Sequence, residues 1–294
     1  MAAGEQMSDI AQDARAAGEA TPAPKTIVIL PTFNERPNLE GLVTPIRGFG
    51  CDVVVVDDNS PDGTGDLAER IGAEDPGVHV VHRSGKLGLG TAYVAGMTHA
   101  IERGYELVVT MDADGSHNPR HLPALTAAAH QRDALAIGSR YVPGGEIAGW
   151  TRRRKFLSHG ANIYARTILG VRVHDCTSGY RCYPRWVLEE VDIHSIRSDG
   201  YAFLTEMLYL CLRCGIQVVE VPIRFEDRLA GQSKVSSAEI LKAIALVPRL
   251  RLGGTATSGR RPVAKRARHV DTDSDPVDAG HAPVSGRPDG GRPT

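Results

Sequence analysis

Two carboxylates at alternate positions, Asp112 and Asp114, follow the apolar run LVVTM. Buried without partners they would be costly. At a strand end beside a cleft they suit Mg²⁺ or Mn²⁺, which take oxygen ligands and share them with substrate phosphates. Alternate residues of an extended strand face opposite ways, so both can serve one ion only if the chain turns there, and Gly115 permits a turn. A solvated strand-end turn would account for the same residues. A second cluster, DDNSPDGT at 57–64, follows four valines. Its acids can accept from a base N–H or a ribose hydroxyl, and its Asn, Ser, Pro, Asp and Gly are equally turn formers. In the third, PTFNE at 31–35, Phe33 can pack on a base. Glu35 either binds nucleotide or caps a helix, and on local grounds capping explains it better.

The elements that must position these clusters alternate. Strand-like runs at 26–32, 52–58, 78–83, 107–114 and 134–140 are uniformly apolar and β-branched. Helix-like segments separate several of them, at 39–49, 67–71 and 91–103. Such runs predict an α/β fold with a mostly parallel central sheet and helices on both faces. Ligands then bind beyond the carboxyl ends of the strands, where all three clusters fall. The second half is less regular: a basic run at 151–155, helix-like stretches at 158–169 and 200–214, a loop at 174–181, a strand at 218–225 and an amphipathic segment at 236–250.

A net charge of −1 selects no polyanionic partner, and a nucleic-acid binder would be far more basic. Five cysteines do not form a disulfide framework. The lone C-x-x-C at Cys211 and Cys214 lacks the second pair that a zinc site needs, so reduced thiols and a cytoplasmic location are expected. Residues 1–24 read as a flexible leader without the pattern of a signal peptide. Residues 253–294 read as a disordered tail, basic and then acidic, which leaves 25–252 as the catalytic unit. No run reaches the ~18 apolar residues of a spanning helix. Contact with a lipid would be peripheral, through the 236–252 segment and the basic residues after it, although that segment could equally pack on the core.

Read in order, PTFNE, DDNSPDGT, KLGLGTAY (86–93) and MDADGSH resemble the inverting glycosyltransferase family 2 with its GT-A fold. The stretches GSRY (138–141), RRRKFLSHGAN (152–162), D-x-T-S-G-Y-R (175–181) and F-x-D-R-x-x-G-x-S-K (225–234) narrow the likeness to polyprenol-phosphate mannose synthases, the dolichol-phosphate enzymes and their bacterial counterparts. The match spans about residues 27 to 234.

That resemblance implies GDP-mannose as donor, a polyprenyl monophosphate as acceptor and inversion at the anomeric carbon. Pro31, Phe33, Glu35, Val56 and Asp58 match the positions that hold guanine and ribose. Asp112, Ala113 and Asp114 match the diphosphate and metal site, with Ser116 near the metal. Arg140, Arg228 and Lys234 match phosphate-binding positions, and Asp112, Asp114 and Arg140 are the residues expected to carry catalysis. Arg154, Lys155 and Ser178 are candidates for the acceptor phosphate, while the basic run could instead meet the membrane surface or simply be solvated. Two departures stand out: Phe33 where these enzymes usually have Tyr, and Gly115 where a larger residue is common. The resemblance also implies work on the cytoplasmic face of a membrane, with an integral membrane protein as a possible partner. A polyprenyl-phosphate glucose synthase or another family 2 transferase is the alternative. A nucleotide-dependent oxidoreductase fits poorly, because SGKLGLG does not follow the first strand and the acidic clusters would have no role.

Overall fold

The computed structural model describes residues 23–196, 198, 200–227 and 246–252. Expectations for 1–22, Arg228, Lys234, 235–245 and 253–294 fall outside these residues. The elements run β1 (Thr26–Thr32), α1 (Arg36–Gly48), β2 (Asp52–Asp57), α2 (Thr64–Glu74), β3 (Val78–His82), α3 (Leu89–Glu102), β4 (Leu107–Thr110), α4 (Leu122–Arg132) and β5 (Leu135–Ser139). They continue with β6 (Glu146–Ile147), α5 (Arg152–Leu169), β7 (Arg181–Pro184), α6 (Arg185–Glu190), α7 (Tyr201–Arg213), β8 (Val218–Pro222) and β9 (Arg224–Phe225). A last helical segment, α8, covers 246–252.

Seven strands form one sheet in the order β3-β2-β1-β4-β7-β5-β8. All neighbours are parallel except β7, which lies antiparallel between β4 and β5. Strand periodicity builds the two faces. Ile27, Ile29, Val54 and Val56 pack with Tyr93 and Met97 of α3 and with Phe203 and Met207 of α7. Val28, Leu30, Val53 and Val55 pack with Leu39 and Ile46 of α1, Leu67 of α2 and Leu125 of α4. Both faces are covered, and this is why these strands read as unbroken apolar runs.

Chain order reverses between β1 and β4, since β2 and β3 lie on one side of β1 and β4 on the other. A crevice opens beyond the strand ends at such a switch point, and the PTFNE and DAD segments flank it.

Several expectations shift. β4 ends at Thr110 rather than 114, so Asp112 and Asp114 lie beyond the strand, where the chain turns at Ala113 and Asp114. β7 reads poorly as a strand because its four residues, RCYP, start with a charge and end on Pro. The basic run, separate from the helix expected at 158–169, forms the first turn of α5, capped by the Thr151 hydroxyl, which accepts from the Arg154 amide. In α8, Val247 and Leu250 are buried in the main core; the described end of the C-terminal segment therefore packs on the domain.

Candidate functional site

Beyond β4 the chain turns at Ala113 and Asp114, and Gly115 adopts a left-handed φ of 79°. Glycine suits that conformation without a steric cost, so the departure at 115 fits the turn it occupies. Asp114 Oδ1 accepts from the Ser116 amide at 3.0 Å and the Ser116 hydroxyl at 2.6 Å. The Asp112 carboxylate is about a quarter exposed. Its Oδ1 accepts from the Tyr93 hydroxyl at 2.7 Å, and its amide donates to His117 Nδ1 at 3.1 Å. His117 is enclosed by the Tyr180 and Phe225 rings, and burial lowers its pKa, so it stays neutral and can accept that bond.

Across the switch point, the loops after β1 and β2 are stitched by three amides. Asn34, Glu35 and Arg36 donate to Ser60 Oγ (3.0 Å), Thr64 Oγ1 (3.0 Å) and Asp62 Oδ2 (3.2 Å). Asn34 and Asn59 both take positive φ, 60° and 56°, which Asn tolerates better than most residues. The acids of the second cluster divide their roles. Asp57 is buried and accepts from Thr32 Oγ1 at 3.0 Å and the Ser60 amide at 3.0 Å, and Asp62 caps Thr64 at 3.0 Å. These two perform the turn chemistry. Asp58 instead meets Arg83 and the Leu87 amide. Burial pushes its carboxyl above the usual range, against the pull of Arg83 and the amides of Leu87 and Gly88.

Glu35 corrects the capping expectation. It occupies the N-cap position of α1, yet its side chain makes no cap hydrogen bond and its Oε2 accepts from Asn38 Nδ2 at 2.9 Å. Phe33 is half-buried, with Lys86 Nζ 4.8 Å from its ring centroid. Pro31 and Val56 are register partners on β1 and β2. The Val56 side chain is fully buried in the core, so it shapes the floor. Ala113 is likewise buried.

Arg140 clasps Asp175: Nε to Oδ2 and Nη2 to Oδ1, each at 2.7 Å, with the Arg140 amide also on Oδ2 at 3.0 Å. Nη2 reaches Thr177 Oγ1 at 2.8 Å as well, and the Tyr141 and Phe225 rings flank the guanidinium. A buried Asp compels this pairing. Burial would raise the Asp175 carboxyl, but Arg140 outweighs it and holds the pKa below the usual range. Ser178 is buried, and its hydroxyl donates to the Gly138 carbonyl at 2.6 Å, which secures the loop. Arg154 pairs with Asp227 at 3.0 Å and stacks over Trp150 at 3.8 Å. Lys155 is exposed.

The oxygen donors fit a divalent ion. Two carboxylates and a serine hydroxyl are hard ligands of the kind Mg²⁺ and Mn²⁺ take. Among the described residues no group of three or more His, Cys, Asp or Glu could hold a metal. An ion here would therefore complete its shell with substrate oxygens and water, as Mg²⁺ commonly does.

Sequence reasoning gave no role to Arg83, Asp175, Thr177 or Tyr93. Asp175, Thr177 and Tyr93 stand in the quoted motifs and Arg83 follows a strand directly, but their partners are set by long-range packing.

Comparison with known proteins bears on this arrangement. A family model described as glycosyl transferase family 2 matches residues 27–192. The chain is 48% identical over 227 residues to a polyprenol monophosphomannose synthase of Mycolicibacterium smegmatis, covering 76% of this chain and 85% of that one. It is 45% identical over 227 residues to an undecaprenyl-phosphate mannosyltransferase of Micrococcus luteus, covering 76% and 93%. A mannosyltransferase from Pyrobaculum calidifontis, solved in complex with GDP-Man and Mn²⁺, matches with a TM-score of 0.51 over 82% of this chain and 78% of that one, at 18% identity. That likeness is one of fold.

Proposed function

The chain belongs to glycosyl transferase family 2, and from that premise we propose that it transfers mannose from GDP-mannose to a polyprenyl monophosphate, with inversion, using Mg²⁺ or Mn²⁺. The observation that carries the reading is the position of Asp112 and Asp114, beyond β4 at the switch point opposite the stitched loops after β1 and β2. The names of the two lipid-phosphate mannosyltransferase relatives support the choice of donor and acceptor.

Phe33, Glu35 and Asp58 would hold the nucleoside, and Asp112 and Asp114 would hold the metal. A bound divalent ion supplies charge neutralisation of the leaving diphosphate. One acceptor phosphate oxygen forms a bond to the anomeric carbon as the bond from that carbon to the GDP oxygen breaks, and GDP departs. The nucleophile arrives already ionised, so the chain need not supply a base. Its task is to bring two anions together, and their repulsion must be met by cations. That work falls to the metal and to Arg140, Arg228 and Lys234, which the resemblance assigns to phosphate.

We also place the enzyme at the cytoplasmic face of a membrane, through α5. Phe156 is 78% exposed, Leu157 61% and Ile163 48%, beside exposed Arg152, Arg153 and Lys155. The opposite side of the helix buries Asn162, Ala165 and Leu169. An apolar strip flanked by cations suits an interfacial helix, each cation adding ~1 kcal/mol near anionic lipid. No helix among the described residues is long and apolar enough to cross a membrane. An integral membrane partner could reinforce this attachment.

The test is a transfer assay offering GDP-mannose, GDP-glucose and UDP-glucose separately, with a polyprenyl phosphate and Mg²⁺ or Mn²⁺. Metal-dependent formation of mannosyl lipid, lost in Asp114→Ala, is the expected result. Transfer from a glucose donor alone would overturn the sugar assignment.

A further inference from the structure

Asp112 is approached by two residues that belong to no metal-ligand pattern. Tyr93, fully buried on α3, donates its hydroxyl to Asp112 Oδ1 at 2.7 Å. Its placement is set by packing: the ring stacks on Phe203 of α7 at 5.9 Å with planes 19° apart. One turn earlier, Gly90 lies so close to the Ser198 carbonyl that a Cβ would sit 2.9 Å from it. On the other side is Gly179. A Cβ there would come within 3.2 Å of Asp112 Oδ1 and 3.4 Å of Oδ2. Gly179 does not have a positive φ, so what the position requires is space and not a special backbone.

Among the described residues, Oδ1 carries the hydrogen bond to Asp112 and Oδ2 accepts none, while the carboxylate remains partly open to the cleft. A carboxylate with one oxygen anchored keeps its orientation and presents the other. Partners of this kind behind a metal ligand alter metal affinity by about 10–100-fold when removed.

We propose that Tyr93 and Gly179 are positioning residues for the divalent cation: Tyr93 anchors Oδ1 so that Asp112 presents Oδ2, and Gly179 leaves the carboxylate room to hold that rotamer. The inference rests on the reading of Asp112 as a metal carboxylate.

Direct Mn²⁺ binding to the full chain in the presence of GDP, followed by electron paramagnetic resonance, tests it. In Tyr93→Phe, Mn²⁺ affinity is expected to fall about 10-fold or more, while metal-free GDP affinity and the thermal melt stay near the parent's. Gly179→Ala, which crowds the same carboxylate without removing a hydrogen bond, should also weaken Mn²⁺ and spare metal-free GDP. A merely structural role for Tyr93 would lower both affinities together, and that result would overturn the proposal. So would a folded Tyr93→Phe with unchanged Mn²⁺ affinity. Asp112→Asn separates the two levels. If it abolishes Mn²⁺ binding while Tyr93→Phe and Gly179→Ala do not weaken it, the positioning role alone fails. If Asp112→Asn binds Mn²⁺ like the parent, the metal reading fails and the proposal with it.

Discussion

Asp175 has no exposed surface, and its charge persists there because Arg140 supplies two side-chain hydrogen bonds and an amide. Removing one partner of such a pair leaves the other charge buried and uncompensated. Asp175→Asn should therefore cost about 3–5 kcal/mol, measurable as a shift in the urea midpoint. The sign of the pH dependence follows from the depressed folded pKa. The pair's contribution is complete above the unfolded carboxylate value of about 4 and is lost as pH falls through the lower folded value. Parent protein should lose stability steeply below pH ~4, and the Asn variant less so. An Arg beside a strand end invites assignment to a phosphate, while its pairing with a carboxylate 35 positions away becomes visible only in the fold.

At the scale of elements, α3 is held against β1 by Gly96, where any Cβ would collide with the Ile29 side chain. Gly96→Ala should destabilise by about 1–3 kcal/mol through overpacking, read by chemical denaturation. Because α3 carries Tyr93, the strain should also raise the metal concentration needed for transfer. The exposed strip of α5 makes a separate prediction. Replacing Phe156 and Leu157 together by Ser removes apolar area that the fold does not use, so the thermal melt should change little. Co-sedimentation with vesicles containing anionic lipid should fall several-fold, and unchanged sedimentation would count against α5 as the docking element. Short unbroken apolar runs alternating with helix-like segments made most of these elements readable. β7 and the full length of α5 escaped because four residues with Arg and Pro lack a strand's pattern and because a run of four cations lacks an apolar face.

For the molecule as a whole, the cleft lies between loops that depend on separate helices, and the proposed metal site offers few protein ligands among the described residues. Mn²⁺ alone should raise the melting temperature only slightly, whereas Mn²⁺ with GDP should raise it by more than the sum of the two. At 100 times its dissociation constant a ligand adds about 2.7 kcal/mol, so differential scanning fluorimetry can register the synergy, and purely additive shifts would argue against a shared site. The sequence by itself determined the α/β class, the buried strands and the acidic clusters at their ends, because those follow from local apolar periodicity and from the cost of burying unpaired charge. Only the tertiary structure decided the partners of the charged groups. Asp57 and Asp62 close turns, Asp58 meets Arg83, and Asp175 pairs with Arg140. Partner choice among charges depends on distance in space, which chain position does not encode.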